Sequence, residues 1–338
     1  MRRPHRSPRL ATLCLQAGTA DTTKDNAARI SILEETITHI IASNWHPLDA
    51  VLLPGGFFRL SRTLGALPFD QRKNVIEAER FTGVIRRLLQ RLEDASPQAR
   101  LIFGVTATPR HRAERTEQAC IAFDSGGVIG AARKMFPTSA ETRGRRYMSP
   151  CVDDYSADER FISLPNGSVA MLNSCYDLFG AADTATGGDA RRLAIRALRQ
   201  GPEHMTHRDV AFRATRDAAI ATWKETVAQK QPDVLVASIH AFERPGLDGY
   251  WQRHGIARAS AAFQGALAIG AAHFLDSLPT RGSPLAAARV PRAALTAGVN
   301  RAAYALPPAD HLSWTTQTGI NALLRLFVAP KPTSQTRR

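Results

Sequence analysis

The chemistry this chain can offer starts with one cysteine. Cys175 stands at the end of an apolar run, Ser168-Val-Ala-Met-Leu-Asn-Ser-Cys-Tyr-Asp177. A strand that delivers a thiol to a tight turn gives it exposure, and the next backbone N–H can bind an oxyanion. A nucleophilic thiol also needs a positive neighbour that holds it as thiolate. The competing reading is a small buried core residue, a common use of free cysteine. Cys14 and Cys120 lie inside predicted strands and take that reading; Cys151, in a polar stretch, is incidental. Lys134 leaves a hairpin strand within Gly130-Ala-Ala-Arg-Lys-Met-Phe-Pro137. Only six of the 44 cationic residues are lysines, which makes one at this place more informative. Lysine brings a compact ammonium whose pKa can shift, which arginine does not; a solvated surface lysine is the alternative. A third segment, Asp49-Ala-Val-Leu-Leu-Pro-Gly-Gly-Phe-Phe58, is a buried strand closed by a glycine turn. Such a turn faces a site or merely connects.

The elements that must position these groups alternate between strand and helix. Apolar spacing predicts strands over 10–16, 49–53, 100–106 and 233–239, and helices over 26–42, 74–92, 210–229 and 256–270. A short strand is expected over 271–275. Two hairpins are predicted, 118–124 with 128–134 around Ser125-Gly126-Gly127, and 161–164 with 168–172 around Pro165-Asn166-Gly167. βα units mixed with hairpins suggest stacked sheets covered by helices. Without an internal repeat or linker, one domain is expected over 10–279, between a basic N-terminal tail (1–9) and a C-terminal extension (280–330). Residues 331–338 form a second basic tail, and both tails are expected to be disordered. The extension could be an oligomerisation arm, with Trp314 and Leu323–Val328 as its apolar anchors.

The 338 residues carry a formal charge of +14, nearly all of it on arginine. Arginine and alanine rising together is what GC-rich coding gives without functional pressure. Removing Arg2, Arg3, Arg6, Arg9, Lys331, Arg337 and Arg338 leaves +7 on the body. Zinc-finger spacing, an RNP motif and a basic stripe interleaved with aromatics are all absent from the sequence, so nucleic acid is expected to bind only nonspecifically at low salt. No apolar run reaches the length of a transmembrane helix. The short run at 10–15 is too brief for a signal-peptide core, and a reduced, cytoplasmic protein is expected. There is no CxxC pair, GxGxxG after a strand, GxxxxGK[ST] or HExxH, so no metal, nucleotide or flavin cofactor is expected.

Taken together, the hairpin Gly126-Gly127-Val-Ile-Gly-Ala-Ala-Arg-Lys134 and the later Ser174-Cys175-Tyr176-Asp177 resemble the carbon–nitrogen hydrolase (nitrilase) superfamily. The likeness spans about residues 10–275 and takes in strand 233–239 and the Ala-rich helix over 256–270. It implies an αββα sandwich, two mixed sheets flanked by helices, and a Glu–Lys–Cys triad. On that resemblance Cys175 attacks an amide carbonyl or nitrile carbon and forms a thioester or thioimidate. Lys134 and the Tyr176 backbone N–H hold the oxyanion, and Glu141 is the accessory acid that positions substrate. It also implies a homodimer or larger homo-oligomer.

The family's general-base Glu directly follows the Pro of the second strand. Here Pro54 is followed by Gly55, which cannot accept a proton, and the family's usual Pro-Glu after the nucleophile segment is replaced at Leu178-Phe179-Gly180. Loss of a general base removes about 10²–10⁴ in rate. Two readings follow. One is an active hydrolase of a small amide, nitrile or N-carbamoyl compound with a displaced base, either Glu141 or His240 just beyond strand 233–239. The other is a fold-retaining, catalytically inactive binding or scaffold protein. A basic nucleic-acid binder is a third, weaker reading.

Overall fold

The computed structural model describes residues 6–17, 26–65, 67–107, 117–135, 158–180, 229–242, 247–275, 287–290 and 305–329, together with 221, 225, 226 and 278. The chain runs β1 (Arg9–Gln16), α1 (Asn26–Ala42), β2 (Ala50–Leu52), β3 (Phe58–Leu60), α2 (Phe69–Glu77), α3 (Arg80–Glu93) and β4 (Arg100–Ala107). The hairpin β5 (Glu117–Asp124)–β6 (Gly127–Arg133) follows, then the hairpin β7 (Phe161–Ser163)–β8 (Val169–Ser174). Next come β9 (Val234–Phe242), α4 (Leu247–Trp251), a π-helical turn (Gln252–Ile256), α5 (Ala257–Ala262) and β10 (Leu267–Phe274). The short β11 (Ala287–Ala288) and β12 (Ala305–Leu306) lead to a final hairpin, β13 (Asp310–Thr315) and β14 (Asn321–Val328).

Strand β1 joins the two halves. Leu10–Thr12 pair in parallel with β2 and at the same residues in antiparallel with β14, so β2 and β14 lie on opposite edges. Leu15 and Gln16 pair with β14 and with His273 and Phe274 of β10, which therefore shares the β2 edge. One continuous sheet thus folds into two layers, the first and second sheets, joined at the β1–β10 pairing: β6-β5-β4-β2-β1-β14-β13, with β3 also on β4, and β7-β8-β9-β10-β11-β12.

The alternation of side chains along the strands shows that these two sheets face each other. Leu52, Ile102, Cys120 and Ala132 of the first meet Ala170, Leu172, Val236 and Ile269 of the second in one buried layer. The outer face of the first sheet, with Leu101, Phe103 and Phe123, packs on α1, α2 and α3 through Ile37, Ile76 and Phe81. The outer face of the second, with Met171, Leu235 and Ala237, packs on Trp251, Ile256 and Ala261 of the α4–α5 segment. The architecture is an αββα sandwich, as the sequence leads one to expect. Aromatic stacking fills the α-covered side of the first sheet: Phe58 stacks on Phe81 at 4.4 Å and meets Phe103 edge-on at 5.2 Å.

Several elements differ from expectation. The single helix expected over 74–92 is two helices. Glu79 leaves the helical conformation (φ −73°, ψ 139°) and its carboxylate takes the Ser61 N–H at 2.5 Å and hydroxyl at 2.7 Å. The helix expected over 256–270 ends at Ala262. Gln264 and Gly265 take positive φ (58° and 82°), and the Gly265 N–H closes on the Ser260 carbonyl at 2.8 Å. The run Leu267–Phe274 is then a strand buried on both faces, longer than the strand expected over 271–275. Small apolar residues read as helix there because Ala favours helices in the absence of packing, whereas a central strand between β9 and β1 needs small side chains on both faces. The expected helix over 210–229 lies almost wholly outside the described residues. Leu323–Val328, read as anchors of an arm, form most of β14, where Leu324 and Phe327 are fully buried inside this chain. Among the described residues no helix is long and apolar enough to cross a membrane.

Candidate functional site

The C-terminal ends of the parallel strands β2, β4, β8 and β9 lie at one end of the sandwich, where α/β sheets place their ligand sites. Each inward-facing position at that end follows from its strand's alternation. Ile102, Gly104 and Thr106 share one face of β4; Cys120 and Gln118 lie opposite Gly104 and Thr106 on β5. Ala132 is inward on β6, so Lys134, two residues on, is inward too. Val236 is inward on β9, which makes Ser238 and His240 inward. Thr106, Gln118, Lys134 and His240 therefore lie together on the inward faces at that end.

Lys134 is only 1% exposed. A buried ammonium is costly without acceptors; here Nζ donates to Gln118 Oε1 at 2.8 Å, and the Lys134 backbone N–H donates to the Gln118 carbonyl at 2.8 Å. One partner of the ammonium is thus a neutral amide.

Cys175 follows β8 in the left-handed conformation, φ 49°. A residue with a Cβ pays about 1–2 kcal/mol for that, and the neighbouring bonds hold it: its N–H donates to the Ser238 carbonyl at 2.9 Å. Cys175 is itself buried, at 9% exposure, in the apolar cluster that holds Met135, Leu178 and Phe179, so the exposure expected of a strand-end thiol is not found; Cys14 and Cys120 are buried more completely still. Burial pushes the Cys120 thiol up to about 12, eased by the Ser238 hydroxyl. It also raises the Cys14 thiol, against the opposing Arg325 guanidinium. Tyr176, the next residue, stacks on Phe179 at 4.7 Å.

Strand β9 organises the remaining pieces. The Ser238 hydroxyl donates to the Leu53 carbonyl at 3.1 Å, and the Gly55 N–H donates to the Ile239 carbonyl at 2.9 Å. The Pro54-Gly55-Gly56 turn and the Cys175 turn thus hang from two adjacent residues of β9, Ser238 and Ile239. His240 then lies in front of the glycines: a Cβ on Gly55 would fall 2.6 Å from its Nδ1, and one on Gly56 would fall 3.0 Å from its Cδ2. His240 Nε2 meets Thr106 Oγ1 at 3.2 Å. From behind, Gly104 presses on Gly55, since a Cβ there would lie 2.4 Å from Gly55 Cα. Arg29 of α1 donates to the Gly56 and Phe57 carbonyls. His273 is also buried, with its pKa pushed down to about 3 by burial and by the nearby Arg29 charge.

The structure thus places Gly55, Lys134, Cys175, Tyr176 and His240 at one end of the sandwich. Glu141 and Cys151 lie outside the described residues. Sequence reasoning missed Gln118, Thr106, Ser238, Arg160 and Asp177, the residues that tie the segments together. For Gln118 and Thr106 the signal was a polar residue on the inward face of a strand end. Among the described residues no group of three His, Cys, Asp or Glu side chains converges as a metal site.

No family model matches the chain, and no curated protein matches it. Among solved structures it is similar to an amidase from Nesterenkonia sp., at 12% identity over 97% of this chain and 92% of that one, with a TM-score of 0.47. It is similar also to a mutant of that amidase in complex with acrylamide (12% identity, 100% and 96% coverage, TM-score 0.48). A third is a mutant of the same amidase showing covalent addition of the acetamide moiety of fluoroacetamide at the active site cysteine (14% identity, 97% and 93% coverage, TM-score 0.44). Other mutants of that enzyme, to which the chain is also similar, are described as belonging to the nitrilase superfamily. At such TM-scores the likeness assigns no residue, and the sandwich described above rests on its own strand order and packing.

Proposed function

We propose that this chain is a carbon–nitrogen hydrolase of the nitrilase superfamily, with Cys175 as nucleophile and His240 in place of the absent Glu. The observation that carries the reading is the imidazole set in front of Gly55, at the end of the sandwich that also holds Lys134 and the Cys175 turn. His240 takes the thiol proton, and the thiolate attacks the carbonyl carbon of a small amide. The oxyanion is held by the Lys134 ammonium and the Tyr176 N–H. The tetrahedral adduct collapses, His240 returns the proton to the leaving nitrogen, and ammonia or an amine departs from a Cys175 thioester. Water, relieved of a proton by His240, attacks the thioester; the carboxylic acid leaves and the thiol is restored. Nitriles would pass through a thioimidate, and N-carbamoyl compounds through a carbamoyl thioester. Glu141 retains its proposed role of positioning substrate.

A second reading, an inactive binding or scaffold protein, is favoured by the glycine that follows Pro54, which has no side chain to accept a proton. Ammonia release from a panel of aliphatic and aromatic amides, nitriles and N-carbamoyl compounds separates the two. The hydrolase reading expects release from at least one class by the unaltered protein and none by Cys175→Ala. Activity that survives Cys175→Ala removes the covalent mechanism. Saturable binding without release by the unaltered protein favours the second reading.

A further inference from the structure

The residues on either side of Lys134 and those leading into Cys175 are held by one buried ion pair. Arg160 and Asp177 both have fully buried side chains, with Arg160 Nη1 3.6 Å from Asp177 Oδ2. Arg160 donates from Nη2 to the Arg133 carbonyl at 2.8 Å and from Nη1 to the Leu172 carbonyl at 3.1 Å. Asp177 Oδ1 accepts the Met135 N–H at 2.7 Å, and Oδ2 accepts the Ser174 N–H at 3.4 Å. On β6, the bonds therefore grip the carbonyl before Lys134 and the N–H after it. On β8, they grip Leu172 and Ser174, the latter adjacent to Cys175. These two strands lie in opposite sheets, and a buried pair serving neither as acid nor as base is dear to maintain.

We infer that Arg160 and Asp177 are positioning residues that set the Lys134 ammonium against the Cys175 thiol, an inference resting on the hydrolase reading above. A planar guanidinium and a carboxylate can each hold two backbone groups in fixed geometry, so together they fix the offset between the two strand ends. If the pair only held the fold together, loosening it would expose Cys175 and speed its modification. If it sets the ammonium, loosening it would raise the thiol pKa and slow modification at neutral pH.

The test is the pH dependence of Cys175 alkylation by iodoacetamide in the full chain, read by peptide mass, with circular dichroism as the check on folding. Asp177→Asn keeps the shape but turns an amide donor toward Ser174 N and Arg160. Arg160→Met/Asp177→Leu replaces the pair by apolar groups, an exchange that buried ion pairs often tolerate; it decides the matter if Asp177→Asn does not fold. The expected result is an inflection raised by one unit or more, read as about tenfold slower alkylation at pH 7. Lys134→Met should add less than about twofold on top, because the coupling is already lost. Arg160→Lys, which keeps the charge but loses the fork, should lie between. An unmoved inflection, or faster alkylation with the full Lys134→Met effect intact, in a folded variant overturns the inference. If Lys134→Met alone leaves the inflection unmoved in the otherwise unaltered chain, the hydrolase reading itself falls, a result distinct from the first.

Discussion

The imidazole of His240 occupies the space that a side chain on Gly55 would need, with Nδ1 2.6 Å from the Cβ position. The glycine after Pro54 and the histidine near the end of β9 thus fit one another as one structural unit. The hypothetical Cβ also falls 2.7 Å from the His240 backbone nitrogen and 2.8 Å from the Ile239 carbonyl carbon. Moving the imidazole aside would not make room.

Placing an acid at this position by Gly55→Glu should therefore fail to create a working site. Both Gly55→Glu and the smaller Gly55→Ala should destabilise the chain, the latter by about 1–3 kcal/mol as an overpacked core position. Gly104→Ala, whose Cβ would lie 2.4 Å from Gly55 Cα, should do the same. Urea unfolding of the three variants checks this. Unchanged midpoints would mean that the turn yields freely.

His240→Ala should lower kcat on any substrate found by about 10²–10⁴, the usual cost of a lost general base. His240→Gln keeps the Thr106 hydrogen bond within reach but cannot take a proton, so it should be equally impaired. Steady-state kinetics of both variants decide between the imidazole as base and the imidazole as filler. Full activity in His240→Gln would assign it the second role.

Much of the frame was legible in the sequence. Helix α1 spans 26–42 as the apolar spacing predicts, and both hairpins sit at their Gly turns, because short-range periodicity and turn chemistry decide those elements. Lys134 and Cys175 could be singled out because each stands where a strand stops. The sequence could not give what lies between them. Gln118 reaches Lys134 across the β5–β6 pairing, and Asp177 reaches Met135 from the opposite sheet. The register that places His240 over Gly55 exists only once β9 lies beside β8. The Ala-rich run after Ala262 misled because burial on both faces, a tertiary property, overrode helix propensity.

Alkylation should discriminate among the described thiols. Iodoacetamide at pH 7 should modify Cys175 well before Cys14 and Cys120, both fully buried and with thiols pushed up, Cys120 to about 12. Peptide mapping after brief exposure reads the order. Equal or slower modification of Cys175 would mark it as an ordinary core thiol.

Acid should weaken the fold in part through His273. Its pKa is about 3 in the folded chain and about 6.5 when unfolded. Between those values the unfolded chain binds the extra proton, so stability is fully present above pH 6.5 and is lost as pH falls toward 3. The whole span corresponds to a contribution on the order of 5 kcal/mol. His273→Leu should flatten the decline in melting temperature from pH 6.5 downward. A slope identical to that of the unaltered protein would show that other groups carry it.

The most direct measurement is the thiol pKa of Cys175, taken from the pH dependence of its alkylation in the unaltered protein and in Lys134→Met. An ammonium beside the thiol predicts an inflection below the ordinary value of about 8.5 in the first and a rise of one unit or more in the second. Two superimposable curves, both inflecting at or above the ordinary value, would contradict a shared site for that sulfur and that amine.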